Sequence, residues 1–551
     1  MTAERYGSER MGSTGSHEAG GTHALDAATL AAMMRAFAER LARHRAELNR
    51  LNVYPVPDGD TGDNLVATLD TVLAHLPDST DRAEVTAAIG RGALLGGRGS
   101  SGVIMGQALR TFVATVPDPC DPEGLATALV AAAKAARSAV ADPAEGTILT
   151  VADDVARQVR TAAAYGTLED AVREAADEGR RSLARTPDLL PVLARAGVVD
   201  AGGLGYVLFL DALAEVVAGV HRPPIELAAP VLAAAGLPGA VSDDTEGHGG
   251  RYEVICLLGS DEDRVATLRE RWVALGDTVA LAGGEGAWRC HVHTDEVVAA
   301  LAAAREAGEV TEVEVTDLVE QVAGEAGLHP EGHADGAVAV VAVAEGDGLV
   351  AAYLEAGAHR VVTGGATAKP STGELLRVID ACDGPVVLLA GDRDVVPAAE
   401  RALDHSAHPG ALVPADMLAG LLALDALRGQ LDGDAAEAAR RLDEVARTIR
   451  VVKVQRAVRD THTELGAVRV GEWLAIGADG LVALARTARE ALETATTALI
   501  TTTTTSGLLA VDSEAEDADE VATALQEAFP HVRWQVLRTN RPVTAYGLAV
   551  R

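Results

Sequence analysis

Between residues 25 and 221, apolar side chains recur in steps of three and four through eight successive segments, and no alternating pattern interrupts them. The segments are 27–48, 64–76, 83–95, 101–116, 121–141, 147–165, 168–184 and 203–217. This spacing lays the apolar side chains along one stripe of a helix, so each segment has a face to bury. The joints are short and carry Gly, Pro, Asp or Thr, which end helices and turn the chain. An all-α domain of about eight helices follows. Composition sets how it packs: 48% of the residues are hydrophobic but only 3% aromatic. The cores must be built from Ala, Leu and Val, side chains that let helices approach closely.

The 551 residues are too many for one core and suit about three or four domains. Residues 1–24 are polar, lack an apolar stretch of the kind a secretory signal needs, and read as a disordered tail. Residues 222–249 hold Pro223, Pro224, Pro230 and Pro238 and read as a linker. From 250 to 326 the order is strand 251–258, helix 261–275, strands 278–283 and 288–293, helix 295–308 and strand 310–315, a small α+β domain. A second linker spans 327–336. In 337–551, strands at 337–344, 360–363 and 385–389 alternate with helices at 349–356, 371–383 and 395–406, which implies a mostly parallel α/β sheet. Beyond 449 strands predominate, and the threonine run 501–505 reads as one of them.

Acidic residues outnumber basic ones by 81 to 47, for a formal net charge of -34. That balance argues against a nucleic-acid partner or an anionic membrane surface. No window approaches ~18 uninterrupted apolar residues, so no integral membrane segment is expected. Cys120, Cys256, Cys290 and Cys382 are too few and too scattered for a disulfide framework, and a reducing cytoplasm is the expected location.

Asp58, Asp60 and Asp63 crowd three carboxylates into a glycine-broken turn that runs into the second helical segment. Gly59 lets the backbone fold tightly between the first two. Carboxylates this close repel, and a hard divalent cation such as Mg²⁺ removes the repulsion. An Asx-turn with a helix N-cap is the other reading of the same residues. An EF-hand is excluded: counting from Asp58, its glycine and glutamate positions hold Asp63 and Leu69. The second turn, Gly96 to Gly102, opens a helix with Ser100 and Ser101 at its start. It reads either as a phosphate site on helix N–H groups or as an N-cap. It is not a P-loop, since no Gly-Lys-Ser/Thr follows, nor a dinucleotide fingerprint, since no strand precedes it. Weaker turns at Thr147 and at Asp200 to Gly205 begin two more helices. Four such turns in one helical domain point to a nucleotide site ringed by loops.

The order Asp58-Gly-Asp-Thr-Gly62, Gly99-Ser-Ser-Gly102, Thr147-Ile-Leu149 and Asp200-Ala-Gly-Gly203 resembles the nucleotide-binding subunit of dihydroxyacetone kinase. The longer form Asn52-Val-Tyr-Pro-Val-Pro-Asp58 points to the bacterial fatty acid kinase branch, and nearly the whole chain fits its layout of kinase domain, middle domain and DegV-like C-terminal region. The resemblance implies an eight-helix antiparallel barrel that binds ATP with two Mg²⁺ ions. It implies Asp58, Asp60 and Asp63 as metal ligands, the first two being the catalytic pair. Asn64, Ser100 and Ser101 would contact phosphates, with the backbone of Gly99 and Gly102. Thr61, Thr147 and Gly202 would line the nucleotide, and Asp200 would hold the closing loop. The implied acceptor is a fatty acid on a separate DegV-like carrier protein and the product an acyl phosphate. The layout also raises a homodimer, though no exposed heptad or hydrophobic stripe supports it.

In the middle domain, His291 and His293 share one face of a strand. They read as two ligands of a Zn²⁺ site, as histidines without metal, or as groups handling protons or phosphate. The resembling family carries a cysteine early in the domain's first strand; here Glu253 stands there, and Cys256 follows three residues later. Three functions stay open: a kinase for a carrier-bound fatty acid, a kinase for a small hydroxy-ketone, and a nucleotide-sensing scaffold without transfer.

Overall fold

The computed structural model describes residues 24–551 except 164–165, 224–249, 320–337, 366–367, 383, 432, 502–503, 505, 513–517 and 540–545. The expected tail up to residue 23, most of the first linker and all of the second lie outside the described residues.

The N-terminal part is helical: α1 (Ala27–Leu51), α2 (Thr61–His75), α3 (Arg82–Gly96), α4 (Gly99–Thr115), α5 (Pro122–Ala139), α6 (Ile148–Ala162), α7 (Leu168–Leu189), α8 (Pro191–Ala196) and α9 (Ala201–Ala218). Side-chain caps mark the starts: Asp26, Asp81, Asp121, Thr147, Thr167 and Asp200 each accept a backbone N–H of their helix. The six-residue α8 is an addition, too short to carry an apolar period. From α1 to α7 each helix packs on the next, α7 packs on α9, and α9 returns to α1. Small residues permit the approach: a Cβ on Gly106 would lie 2.7 Å from the Ala93 carbonyl oxygen. By length and apolarity α9 qualifies as a membrane span, yet 83% of it is buried inside the protein. It is a buried core helix, with Phe209 in edge contact with Phe37 and Phe112.

The remaining chain folds as β1 (Tyr252–Gly259), α10 (Glu262–Leu275), β2 (Gly276–Gly284), β3 (Ala287–Thr294), α11 (Val297–Ala307), β4 (Glu309–Asp317), β5 (Ala339–Ala344), α12 (Asp347–Glu355), β6 (Arg360–Thr363), α13 (Thr372–Asp380), β7 (Val386–Gly391), α14 (Val396–His405) and β8 (Gly410–Asp416). All eight strands join one sheet in the order β2-β3-β1-β4-β6-β5-β7-β8. The parallel arrangement expected from strand–helix alternation holds among β5 to β8. The other half is antiparallel, and β4 crosses the expected second linker to pair antiparallel with β6. Pattern alone does not reveal that edge, because the exposed side of β4 is satisfied by any partner in register.

After α15 (Met417–Ala426) and α16 (Ala435–Ala446) comes a second sheet. Its strands are β9 (Arg450–Arg456), β12 (Trp473–Gly477), β13 (Gly480–Ala485), β14 (Ser506–Val511), β15 (Arg533–Arg538) and β16 (Tyr546–Val550), ordered β13-β12-β9-β16-β14-β15. β10 (Thr461–Thr463) and β11 (Gly466–Val468) pair apart from it, and α17 (Ala488–Leu499) and α18 (Ala518–Ala528) complete the region. Of the strand expected at 501–505, residues 502, 503 and 505 lie outside the described residues; Thr501 and Thr504 precede β14 rather than joining it, and Thr504 Oγ1 accepts the Thr501 N–H at 3.0 Å. A threonine hydroxyl that captures a nearby backbone group competes with the sheet ladder.

The helical domain and the long sheet are docked directly. Val103 and Ala139 form a small core with Ala280 and Ala282 of β2. The Ala141 N–H donates to the Val279 carbonyl at 2.9 Å, and Arg289 Nε donates to the Gly97 carbonyl at 3.0 Å. The last bond pins β3 to the turn before α4, and so decides what faces the glycine-rich turn.

Candidate functional site

Asn52, the C-cap of α1, organises the aspartate turn. Its Nδ2 donates to Asp58 Oδ1 at 3.0 Å and to the Val56 carbonyl at 2.7 Å. Its Oδ1 accepts the Thr61 N–H at 3.1 Å and the Thr61 hydroxyl. One amide thus joins the end of α1, the loop and the start of α2. Gly59 takes φ +64°, the left-handed conformation glycine adopts without a Cβ penalty. Asp60 stands at the N-cap of α2 but its side chain makes no capping bond, so its carboxylate is not consumed by the helix end. The N-cap reading of this turn is therefore not how Asp60 is used.

The glycine-rich turn behaves the same way. Arg98 occupies the N-cap of α4 without a side-chain cap, and the helix starts at Gly99 with φ +52°. A Cβ on Gly99 would lie 2.3 Å from Asn64 Nδ2, so only glycine lets this turn close on α2. Ser100 and Ser101 follow inside the first turn of α4, at the mouth of the helix. Asp58, Asp60, Thr61, Asn64, Gly99, Ser100 and Ser101 line one cleft of about 280 Å³, with Asn52, Glu253 and His293. Gly102 is not on this cleft; it is buried, and a Cβ there would meet Thr68 Oγ1 at 2.6 Å.

Glu253 and His293 come from the middle strands. Glu253 of β1 is in register with His293 of β3, and Ile255 with His291. Glu253, His291 and His293 are buried, with one donor atom of each within 4.8 Å of the others. His291 Nδ1 faces the Thr278 carbonyl at 3.0 Å, which places its proton there, and Nε2 lies 2.9 Å from Glu253 Oε1. A hydrogen bond at that separation places one proton between the carboxylate oxygen and the imidazole nitrogen. Burial alone would raise the Glu253 carboxyl; the His291 hydrogen bond and the charges of His291, His293 and Arg360 win and hold it at about 2. Burial, followed by His291, pushes His293 down to about 3, so it is a neutral imidazole at ordinary pH. His293 Nδ1 is buried with no hydrogen-bond partner among the described residues, an orphan that a cation would satisfy. Cys256 and Cys290 are paired across β1 and β3 inside the core beneath the sheet; they are not part of the cluster.

Asp63 departs from the other two aspartates. Its carboxylate accepts from Arg45 Nε and from Asn49 Nδ2 (2.5 Å for the latter), while Asn49 Oδ1 accepts the Gly62 and Asp63 N–H groups. It lines a second, larger cavity of about 630 Å³, which shares Asp60, Asn64 and Glu253 with the first cleft and adds Arg98, Glu314 and Arg360.

Thr147, Asp200 and Gly202 gather with one another rather than on the cleft. Thr147 caps α6 and Asp200 caps α9, accepting the Gly203 N–H at 2.6 Å. A Cβ on Gly202 would lie 3.3 Å from both Asp200 Oδ2 and Ile148 Cβ. Burial raises the Asp200 carboxyl to about 6. Burial raises the Tyr54 phenol, and the charges of Asp142, Asp200 and Asp277 raise it further.

Sequence reading missed Asn49, Asn52 and Arg98. The two asparagines carried a signal in lying just before the turn they hold; Arg98 carried none, because its surroundings come from three distant segments.

Matches to known proteins cover most of the chain. The DAK2 domain family matches residues 55–215, the middle-domain family of FakA-like fatty acid kinases matches 249–325, and the C-terminal-domain family of FakA-like fatty acid kinases matches 339–551. Protein YloV of Bacillus subtilis is 28% identical over 547 residues, covering 95% of this chain and 98% of that protein. A dihydroxyacetone kinase from C. freundii, solved with AMP-PNP and Mg²⁺, is 20% identical with a TM-score of 0.27, over 39% of this chain and 38% of that one. The Streptococcus pneumoniae Fatty Acid Kinase (Fak) B3 protein, solved loaded with linoleic acid, is 13% identical with a TM-score of 0.25, over 33% of this chain and 75% of that one.

Proposed function

This chain, with a DAK2 domain followed by both FakA-like domains, belongs to the FakA-like fatty acid kinase family, and from that premise we propose that it is an ATP- and Mg²⁺-dependent kinase. Its acceptor is a fatty acid presented by a separate DegV-like carrier protein, and its product an acyl phosphate. The observation that carries the reading is the shared cleft: Asp58 and Asp60 face Gly99, Ser100 and Ser101 across a space closed by Glu253 and His293.

The donors fit the cofactors. Asp58 and Asp60 offer hard oxygens beside an uncapped helix start, a pairing suited to Mg²⁺ and phosphate. Mg²⁺ bound with ATP neutralises charge on the transferring phosphoryl group. Asp58 and Asp60 would hold the metal, with Asn52 fixing Asp58. Ser100, Ser101, Asn64 and the Gly99 backbone would receive phosphate oxygens. Thr61 braces the turn, while Gly102 acts through helix packing. Asp63 is the third ligand of the resemblance, and binding metal would require it to give up Arg45. Thr147, Asp200 and Gly202 shape the neighbouring helix starts. Glu253, His291 and His293 form an N/O donor set suited to Zn²⁺ or a second divalent ion. A carboxylate acceptor is ionised at neutral pH and needs no general base, which agrees with a cleft of acidic and neutral groups. The circuit from α1 to α9 is read as the antiparallel barrel of the resemblance, and the protein as cytoplasmic. No observation supports a homodimer.

The experiment is incubation with ATP, Mg²⁺, fatty acid and candidate carriers. Acyl phosphate formed only with a carrier is the expected result. Transfer to dihydroxyacetone would favour the hydroxy-ketone reading, and nucleotide binding without any transfer the scaffold.

A further inference from the structure

The larger cavity lies where the helical domain, the antiparallel half of the long sheet and its parallel half meet, and its charged groups do not all pair. Asp63 is held by Arg45 and Asn49. Glu314 Oε1 accepts from Arg360 Nη1 at 3.1 Å, and Arg360 also donates to Thr316 Oγ1 and the Ala381 carbonyl. Asp380 accepts the Ser406 hydroxyl at 2.5 Å. Asp60 and Glu253 belong equally to the metal-side cleft. That leaves Arg98. Its side chain is 9% exposed, and among the described residues its one ionic contact is Glu314 at 3.8 Å, with no side-chain hydrogen bond. None of its nitrogens is sealed away from space without a partner, so the unbonded N–H groups open on the cavity they line. Burial pushes this guanidinium down to about 10, so it remains charged at neutral pH.

A buried cation with five donors and no hydrogen-bonded acceptor is costly, and its fork matches the two oxygens of a carboxylate. The cavity adds an apolar wall at Ile255, Ala381 and Cys382, suited to the first carbons of a chain behind such a group. Asp60 stands on the boundary between this cavity and the cleft assigned to the nucleotide. We propose that Arg98 is the seat of the acceptor: it grips the carboxylate of an aliphatic acid in the larger cavity and aims it past Asp60 at the transferring phosphoryl group. The seat rests on the kinase reading for its purpose but not for its existence.

The test uses the full chain with soluble probes: octanoate, inorganic phosphate and ATP–Mg²⁺, each titrated calorimetrically into wild type, Arg98→Gln and Arg98→Lys. Circular dichroism and thermal unfolding verify that the variants fold. Octanoate affinity is expected to fall about tenfold or more in Arg98→Gln and by less in Arg98→Lys, with ATP–Mg²⁺ affinity changed less than twofold. With carrier-bound fatty acid, KM for the acceptor is expected to rise more than kcat falls. Equal octanoate binding in all three proteins, or none in wild type, overturns the seat. A loss confined to phosphate or ATP overturns the carboxylate assignment and moves Arg98 to the nucleotide. Octanoate binding that depends on Arg98, in a protein that transfers no phosphate, overturns the kinase reading and leaves the seat standing.

Discussion

The aspartate turn and the Glu253–His291–His293 cluster meet in one cleft but are built in opposite ways. The turn is assembled from neighbours: Asn49 and Asn52, at the C-terminal end of α1, hold residues 58 to 63 through side-chain bonds to backbone and carboxylate. The cluster is assembled from strands: Glu253 and His291 lie 38 positions apart and meet only because β1 and β3 pair in one register. A one-residue slip would turn both histidines into the core. The turn therefore tolerates changes elsewhere in the chain, whereas the cluster reports on the integrity of the sheet.

Breaking the turn at its carboxylate is expected to have the largest effect. Asp60→Ala should lower acyl-phosphate formation by about a thousandfold, on the scale of a lost metal or transition-state contact. Its unfolding midpoint should stay close to wild type, because Asn52 bonds Val56, Asp58 and Thr61 of the loop directly. Turnover near the wild-type rate would remove Asp60 from the chemistry. Breaking the cluster comes next. Glu253→Gln should cut any zinc content measured by elemental analysis and lower turnover about ten- to a hundredfold, with nucleotide affinity unchanged. A variant with full activity and no metal difference would reduce the cluster to a structural ion pair.

A third prediction sharpens the contrast through pH. His293 sits near 3 in the folded chain against 6.5 ordinarily, so its stability contribution is intact above pH 6.5. Between pH 6.5 and 3 the unfolded chain takes a proton that the folded chain refuses, and stability falls as pH falls. Glu253, near 2 against 4.5, adds its own loss only below pH 4.5. From pH 7.5 to 5.5 the His293 share of stability should fall by roughly 1 kcal/mol, read as the difference between the urea curves of wild type and His293→Gln, because Asp200 moves both proteins the other way in the same interval. An equal pH dependence in the two proteins would place the acid sensitivity elsewhere. The smallest effect belongs to the helix starts beside the cleft. Asp200 is raised to about 6 from 3.8, so its contribution is full below pH 3.8 and is lost as pH rises through 6. Asp200→Asn keeps a capping oxygen without the buried charge and should gain on the order of 1 kcal/mol at pH 7.5, read from the same denaturation curves.

Helices were legible because a three-residue step and a capping Asp or Thr are local facts, and the same locality exposed Asp58, Asp60, Ser100 and Ser101 as a candidate site. The short helix α8 escaped because six residues cannot show a period. Thr501 and Thr504 misled because β propensity says nothing of a hydroxyl's local bonds. Asp63 looked equivalent to its neighbours in spacing, and only the approach of Arg45 and Asn49 separates it from them.

By itself the amino-acid order determined which segments coil, which extend, where turns must bend, and that three aspartates crowd one bend, since each depends on residues a few bonds apart. Tertiary structure alone decided that the middle strands close over that bend and that the long sheet runs unbroken from β2 to β8. It also decided that Arg98 faces a cavity with no hydrogen-bonded acceptor among the described residues. Those outcomes depend on strand register and on contacts between segments hundreds of residues apart, and neither is encoded in any single stretch of the chain.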